Sequence, residues 1–169
     1  AQRRLERRGV GRIDLAPALF VADLGRAVAA LDEPLPSLAL IGRRHVRSNN
    51  SWLHNSQRLV KGKPRCTLMI HPADAATRGI VDGCVVRLSS RVGAVEIAAE
   101  VTEDMRPGVV CMPHGWGHDR PGTRLSVAGR SPGVSINDVV DDQRIDALTG
   151  TAVLNGTPVE VEPVRLASG

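Results

Sequence analysis

The chain has 169 residues, of which 42% are hydrophobic and only 2% aromatic. This length suits one domain with an appended arm, and the core must be built from aliphatic side chains. No apolar run approaches the roughly 20 residues of a membrane-spanning helix, and the amino terminus lacks the apolar segment of a secretory signal. The composition therefore favours a globular domain without a membrane segment.

The net charge of +4 is unevenly distributed along the chain. No acidic residue lies between Glu33 and Asp74, whereas acidic residues predominate between Ser135 and Glu162. The cations of the first stretch are Arg43, Arg44, Arg47, Arg58, Lys61, Lys63 and Arg65. A basic block of this kind favours an anionic partner, either a phosphorylated ligand or a nucleic acid.

The three cysteines, Cys66, Cys84 and Cys111, are widely spaced and form no C-x-x-C pair. We expect small buried thiols in a reducing compartment rather than a disulfide framework. This expectation indicates a cytoplasmic protein.

Residues 1–37 are predicted to form an N-terminal arm and linker. The arm opens with a run of arginines, and apolar side chains then recur at spacings of three and four over residues 17–31, which predicts a helix. The two prolines of residues 33–37 end that helix.

The body, residues 38–169, is predicted to consist of short strands joined by turns. One short helix is expected over residues 71–79, where Pro72 suits the first helical turn and Asp74 the positive helix N-terminus. The predicted strands are 38–41, 66–71, 84–89, 94–101, 109–112, 158–164 and, more weakly, 134–140. Many short strands with few helices favour a β-barrel.

Residues 38–55 (LALIGRRHVRSNNSWLHN) combine a short strand with a polar loop. Gly42 ends the strand, and Arg43 and Arg44 follow it. Arginine offers a planar fork of donors suited to phosphate, and the Asn and Ser side chains that follow can hydrogen-bond a heterocycle edge. We predict a site for a polar anionic ligand here, with an ordinary solvated loop as the alternative.

No group of side chains has the pattern of a nucleophile, a base and an orienting residue. His114 and His118 are four residues apart, but the proline and glycines around them make a helix implausible, so the spacing is only a weak zinc signal. Asp141 and Asp142 are adjacent and point to opposite faces of an extended chain, which suits an acid/base pair poorly. Binding is better supported than catalysis.

Four patches follow one another in a specific order and spacing. They are 38–55, quoted above; 71–110 (HPADAATRGIVDGCVVRLSSRVGAVEIAAEVTEDMRPGVV); 112–119 (MPHGWGHD); and 135–142 (SINDVVDD) followed by 146–164 (DALTGTAVLNGTPVEVEPV). Together they resemble the C-terminal domain of the molybdopterin-guanine-dinucleotide oxidoreductases, a family that includes formate dehydrogenases, nitrate reductases and dimethyl sulfoxide reductase. The resemblance implies a mainly β fold with short helices, the double-psi β-barrel.

The resemblance also implies a set of cofactor-binding residues on two loops and at one later asparagine. They are Gly42, Arg43, Arg44, Ser48, Asn49, Asn50, Ser51, Trp52, His114, Gly115, Trp116 and Asn137. Glycine at positions 42, 115 and 117 would let a ligand approach the backbone closely. Two of these residues have a structural alternative. Trp116 would then close the end of the barrel, and Asn137 would cap a turn.

The function implied by the resemblance is that of a C-terminal domain that binds molybdopterin guanine dinucleotide and closes the active site of a molybdenum or tungsten oxidoreductase. The family's metal-ligating and iron–sulfur residues lie upstream and have no counterpart in this sequence. We therefore expect an excised domain that is not catalytic alone. Its expected partners are the upstream domains of the same parent chain and, for the parent, an electron-transfer protein.

A stand-alone basic β-barrel that binds nucleic acid is the alternative. The scarcity of aromatic residues disfavours it, because single-strand binders stack bases on such side chains. A self-processing decarboxylase related by fold is also disfavoured, since the chain contains no Gly-Ser dipeptide for cleavage.

Overall fold

The structure is a computed structural model that describes residues 14–164. It divides into two compact units, with the boundary between Leu35 and Pro36. The predicted division into an arm of residues 1–37 and a barrel of residues 38–169 stays a prediction, and the basic start of the arm lies outside the described residues.

The first unit contains one helix, α1 (Ala18–Ala29), among the described residues. The helix follows Pro17 and agrees with the apolar spacing predicted over residues 17–31. None of its residues is buried, and its large apolar side chains are all more than half exposed.

The second unit contains a seven-stranded sheet in the order β6-β1-β5-β2-β4-β3-β7. The strands are β1 (Ala39–Arg43), β2 (Thr67–Ile70), β3 (Val85–Ser89), β4 (Ala94–Val101), β5 (Val109–Pro113), β6 (Thr157–Pro158) and β7 (Glu160–Pro163). Two short helices, α2 (Gln57–Val60) and α3 (Pro72–Thr77), and two 3-10 helices (Ala128–Arg130 and Ile136–Asp138) complete the described elements.

The sheet closes on itself through its last two strands. At one edge β6 pairs with β1, at the other edge β7 pairs with β3, and only Val159 separates β6 from β7. Within the same sheet, β1 pairs with β5 and β2 pairs with β4, both in parallel. This arrangement confirms the predicted mainly β fold with short helices, the double-psi β-barrel.

The barrel interior is aliphatic, as the composition requires. In β3, Val86 and Leu88 are fully buried while Val85 and Arg87 are exposed, which is the alternation of a strand with one face in the core. Leu40, Leu68, Ile70, Val110 and Met112 from the other strands are also fully buried. Each such side chain stabilises the fold by about 1.5–3 kcal/mol relative to an exposed one.

The carboxylate of Asp74 fixes α3 to the start of β5. Its Oδ2 accepts a hydrogen bond from the backbone N–H of Gly108 at 2.7 Å, and Arg78 lies 3.6 Å from its other oxygen. Asp74 therefore lies in the first turn of the helix, as predicted, and also links two parts of the barrel.

The weak strand predicted over residues 134–140 is wrong. The Ser135 hydroxyl accepts a hydrogen bond from the backbone N–H of Asn137 at 3.3 Å and starts a 3-10 turn. Ile136 and Val139 are both buried three residues apart, a spacing that suits a helical turn and not a strand. The local capping bond therefore replaces sheet pairing here.

The described cysteines are free; Cys111 is buried, and Cys66 and Cys84 are half-buried. Between residues 14 and 164, no helix has the length and apolar character needed to cross a bilayer.

Candidate functional site

Arg43, at the end of β1, is bonded to the backbone of the barrel. Its Nη1 donates to the carbonyl of Cys111 at 2.7 Å, and its Nη2 contacts the carbonyls of Arg65 at 3.2 Å and Thr67 at 2.9 Å. The same nitrogen contacts the Thr67 hydroxyl at 2.8 Å. Arg43 was predicted to bind phosphate, but its Nη1 and Nη2 groups already donate to acceptors inside the protein. These bonds link β1, β5 and β2.

Arg44 is exposed and has a different environment. Its Nη1 donates to the side-chain oxygen of Asn50 at 3.0 Å. Together with His45, Asn49 and Trp52, these two residues line an open depression on the surface. Consecutive residues of a strand point to opposite faces, which explains why the two arginines separate.

The loop after Arg44 folds back through backbone turns. The Ser48 hydroxyl donates to the carbonyl of His45 at 2.8 Å, and Ser48 is only 7% exposed. Asn49 and Asn50 have φ angles of 40° and 67°, in the left-handed region that asparagine tolerates better than most residues. Ser48 therefore braces the loop, while Asn49, Asn50 and Trp52, the last of them 82% exposed, present their side chains outward.

Glycines let this loop contact the two later patches. A Cβ on Gly42 would overlap the imidazole of His114, and a Cβ on Gly115 would overlap the carbonyl oxygen of Asn50. A Cβ on Gly117 would lie 2.9 Å from the Cβ of Ser135. We expected these glycines to admit a ligand; in the structure they admit neighbouring protein loops instead.

The predicted site residues are thus brought together from distant parts of the sequence. The segments 42–52 and 114–117 are in direct contact, and the turn that carries Asn137 packs through Ser135 against Gly117. Asn137 itself is exposed. Ser51 lies in the same contact, since its backbone nitrogen would be 2.9 Å from a Cβ on Gly115.

An aromatic cluster that the sequence did not reveal lies beneath these loops. The ring of His54 lies 4.1 Å from that of Trp116, measured between ring centroids, and its Nδ1 is 2.7 Å from Nε2 of His118. His54 is 2% exposed. The sequence shows only two histidines that lie 64 residues apart, and nothing in it indicates that they meet. The fold brings them together.

The surroundings of the cluster favour the neutral form of both histidines. Burial lowers the pKa of His54, the nearby His118 lowers it further, and the Gly115 carbonyl partly opposes the shift. Burial also lowers the pKa of His118, with partial opposition from Asp119. One hydrogen bond joins the two rings. The Gly115 contact that raises the pKa of His54 lacks good hydrogen-bond geometry, so Nε2 of His54 has no well-formed partner among the described residues. Leaving such a buried polar atom unsatisfied costs about 1–3 kcal/mol.

His118 is therefore one member of a histidine pair whose other member, His54, is buried. Within the part of the chain that the structure describes, no three or more His, Cys, Asp or Glu side chains converge as metal ligands.

The geometry as a whole is that of a small β-barrel domain whose loops form a basic, amide-rich edge. Residues 38–158 match the family model described as the Molydopterin dinucleotide binding domain. Since the match covers most of the chain, the protein belongs to this family. The predicted family and its molybdopterin dinucleotide cofactor are confirmed.

Named relatives agree with this assignment. The arsenate respiratory reductase molybdopterin-containing subunit of Chrysiogenes arsenatis is 32% identical over 130 residues, which are 72% of this chain and 15% of that protein. Dimethyl sulfoxide reductase DmsA of Escherichia coli is 34% identical over 85 residues, 50% of this chain and 10% of the relative. The chain thus spans a small part of these relatives. Neither is named as a nucleic-acid-binding protein.

The solved structure of acetylene hydratase from Pelobacter acetylenicus shares the fold. It superposes with a TM-score of 0.64 and 19% identity over 84% of this chain and 20% of its own.

The outward-facing residues fit the polar parts of such a cofactor. Arg44 uses one described hydrogen bond and keeps most of its N–H donors for a phosphate. The amides of Asn49 and Asn50 can pair with a heterocycle edge, and the exposed Trp52 ring offers a face for stacking.

Proposed function

We propose that the edge formed by Arg44, Asn49, Asn50 and Trp52 holds the molybdopterin guanine dinucleotide through its phosphates and heterocyclic edges. The observation that supports this most is the contrast between the two arginines. Arg43 is bonded to barrel carbonyls, whereas Arg44 stands at an open depression beside two outward amides. Arg44 is thus the cation of the pair that can meet a ligand.

The other predicted cofactor residues divide into two groups under this proposal. Gly42, Arg43, Ser48 and Gly115 position the binding loops through contacts within the protein. We expect His114, Trp116, Ser51 and Asn137 to complete the contact with the cofactor. Burial and then the Arg44 charge lower the pKa of His114, which favours the neutral imidazole that can donate one hydrogen bond and accept another.

We further propose that the chain works as a cofactor-closing domain of a larger cytoplasmic oxidoreductase, packed against other domains of the same protein and served by an electron-transfer partner. When bound, the cofactor supplies two-electron redox chemistry at its molybdenum or tungsten. The residues described here bind and orient it and exclude water from one side. They include no nucleophile–base pair of their own, so we expect the 169-residue chain to show no turnover in a redox assay.

The proposal is tested by cofactor retention in the longest native protein that contains this sequence. Arg44→Met combined with Asn50→Ala should lower the guanine nucleotide released by acid, per mole of purified protein, by at least about tenfold if the edge binds the cofactor. Arg58→Met combined with Gln57→Ala, two exposed positions, is the control for general loss of charge and amide. Equal retention by both double variants would place the cofactor elsewhere.

A further inference from the structure

Asn155 is not among the predicted cofactor residues, yet it bonds to the strand that leads to Arg44. Its side-chain Oδ1 accepts a hydrogen bond from the backbone N–H of Gly42 at 2.9 Å, although the two residues are 113 positions apart in the sequence. Gly42 lies in β1, immediately before the two arginines. A side chain that fixes Gly42 can therefore control where Arg44 stands at the proposed cofactor-binding edge.

The bond continues the pairing of β1 with β6 beyond the last backbone bond between them. On this side of β1, the carbonyls of Leu38 and Leu40 accept backbone N–H groups from the segment 156–159, at 3.1 and 2.8 Å. Alternate residues of a strand pair with the same neighbour, so Gly42 is the next member of this series. Its partner is the side chain of Asn155 and not a backbone carbonyl. Among the described residues, this is the last bond on that side of β1 before the chain reaches the arginines.

The backbone that carries Asn155 is itself fixed to the barrel. The N–H of Gly156 donates to the carbonyl of Leu40, and the carbonyl of Gly156 accepts a hydrogen bond from Nη1 of Arg144 at 3.0 Å. Two residues before Asn155, the N–H of Val153 donates to the carbonyl of Arg144 at 2.9 Å. The amide of Asn155 therefore extends from a backbone that is hydrogen-bonded on both sides.

Gly42 has little freedom to move, because His114 lies against it. A Cβ on Gly42 would overlap the imidazole of His114. On the β5 side, the N–H of His114 donates to the carbonyl of Arg43 at 3.1 Å. Gly42 is thus enclosed by β5, the imidazole ring and the Asn155 amide. Without the amide, the end of β1 has no bond on one side, and both Arg44 and His114 lose a common support.

The exposure of this bond separates its effect on folding from its effect on position. Asn155 is exposed and Gly42 is half-buried, so water can replace the amide oxygen once it is removed. A water molecule satisfies the N–H donor but does not fix the strand. Removal of the amide should therefore affect ligand binding more than folding.

We propose that Asn155 is a positioning residue for the cofactor, and that its hydrogen bond to Gly42 sets the positions of Arg44 and His114. This inference rests on the proposed function of the cofactor-binding edge. In this role the side-chain oxygen is required and the NH2 group is not. An aspartate at position 155 keeps that oxygen and should replace the asparagine, whereas an alanine should not.

Asp82 offers a matched control at the opposite end of the sheet. Its Oδ1 accepts a hydrogen bond from the backbone N–H of Val101, which is also 2.9 Å long and also exposed. The register places Val101 beside the start of β5, whereas Gly42 lies beside the end of β5. Asp82→Ala therefore removes a bond of the same kind without touching the cofactor-binding edge.

The first measurement is the rate at which the longest native protein containing this chain loses guanine nucleotide, well below its melting temperature. We expect Asn155→Ala to lose nucleotide about three- to tenfold faster than the wild type, the size expected for one hydrogen bond. Asn155→Asp and Asp82→Ala should stay within about twofold of the wild type. The melting temperatures of the two alanine variants should be similar, so that stability alone does not explain the difference.

A second measurement tests the bond itself in the 169-residue chain without cofactor. Amide hydrogen exchange at Gly42 should be faster in Asn155→Ala by about tenfold or more, because the N–H loses its protein acceptor. Exchange at Gly42 should be slow again in Asn155→Asp and unchanged in Asp82→Ala.

Three results would overturn the positioning role. They are nucleotide loss no faster in Asn155→Ala than in Asp82→Ala, nucleotide loss equally fast in Asn155→Asp and Asn155→Ala, and unchanged exchange at Gly42 in Asn155→Ala. The Arg44→Met/Asn50→Ala variant separates this inference from the proposed function. If that variant keeps its nucleotide, the proposed edge itself is wrong; if it loses nucleotide while Asn155→Ala does not, only the positioning role fails.

Discussion

The carbonyl oxygen of Asn50 lies so close to the Cα of Gly115 that a Cβ at position 115 would overlap it. Gly115 also has a φ angle of 86°, in the left-handed region. This one contact joins the polar loop after β1 to the glycine-rich loop after β5. The outward-facing edge, with Arg44 and Asn50, depends on it.

Replacing Gly115 with alanine tests this contact. Gly115→Ala should lower the free energy of unfolding by about 2–4 kcal/mol, because overpacking and a strained φ angle add together. Gly122→Ala is the matched control, since Gly122 has a φ of 88° but no atom within 4 Å of its added Cβ. We expect the control to lose only about 1–2 kcal/mol from strain, as measured by urea unfolding. Equal losses would show that the loop contact contributes nothing.

The two neighbouring arginines should respond differently to the same substitution. Arg43→Met leaves three carbonyls of β2, β5 and the segment before β2 without a donor, so we expect a loss of about 2–4 kcal/mol in unfolding free energy. Arg44→Met removes an exposed side chain and should change stability by less than about 0.5 kcal/mol while lowering cofactor retention. A stable Arg43→Met variant would contradict the bracing role.

The histidine pair predicts a loss of stability on mild acidification. The folded pKa values of His54 and His118 lie below the ordinary value of 6.5, so the unfolded chain takes up protons first as the pH falls. The full stability of the folded state is therefore present above pH 6.5, the pKa of the unfolded histidines. It is lost as the pH falls from there through the lower pKa values of the folded state. We expect the melting temperature to fall between about pH 7.5 and pH 5.5.

His54→Phe keeps a ring against Trp116 but removes one titrating group. It should reduce the drop in melting temperature over that pH range, even if the variant is less stable at the higher pH. A drop as steep as that of the wild type would assign the acid sensitivity to other groups.

Asp141 and Asp142 are adjacent but should differ in their importance for stability. Asp141 accepts two hydrogen bonds from the Arg91 guanidinium, both at 2.8 Å, and one from the backbone N–H of Gln143 at 2.9 Å, whereas Asp142 is exposed. Asp141→Asn should lower the melting temperature at neutral pH, and Asp142→Asn should not. The reverse order would contradict the fold of this segment.

The Asp141–Arg91 ion pair also makes the stability of the fold depend on pH, in a lower pH range than the histidine pair does. The hydrogen bonds from Arg91 and from Gln143 lower the pKa of Asp141, although its burial opposes them. The stabilisation is therefore present above the ordinary value of 3.8 and lost as the pH falls below it. Melting curves of Asp141→Asn and the wild type should converge at the lowest pH values.

Most strands and the helices α1 and α3 were predictable because each follows from local chemistry, whereas α2 was not predicted. Alternation in residues 94–101, proline at the start of α3 and apolar spacing in α1 all act within a few residues. Residues 134–140 failed because Val134, Ile136 and Val139–Val140 look like a strand, while one serine hydroxyl caps a turn that the pattern does not encode.

The site was predictable as a set of loops but not in the role of each side chain. Sequence reasoning treated Arg43 and Arg44 alike, because nothing in the sequence shows that the carbonyls of Cys111 and Thr67 surround one and not the other. The His54–His118 pair depends on a contact between residues 64 positions apart, which only the closed barrel creates.

The most direct test of the central claim is the content of metal and guanine nucleotide in the longest native protein that contains this chain. It would be purified from a host that makes the cofactor, with molybdenum and tungsten quantified by mass spectrometry and nucleotide released by acid. We expect metal together with about two guanine nucleotides per metal, since the cofactor carries the chemistry and this domain binds it. Protein that is folded yet contains neither metal nor nucleotide would contradict it.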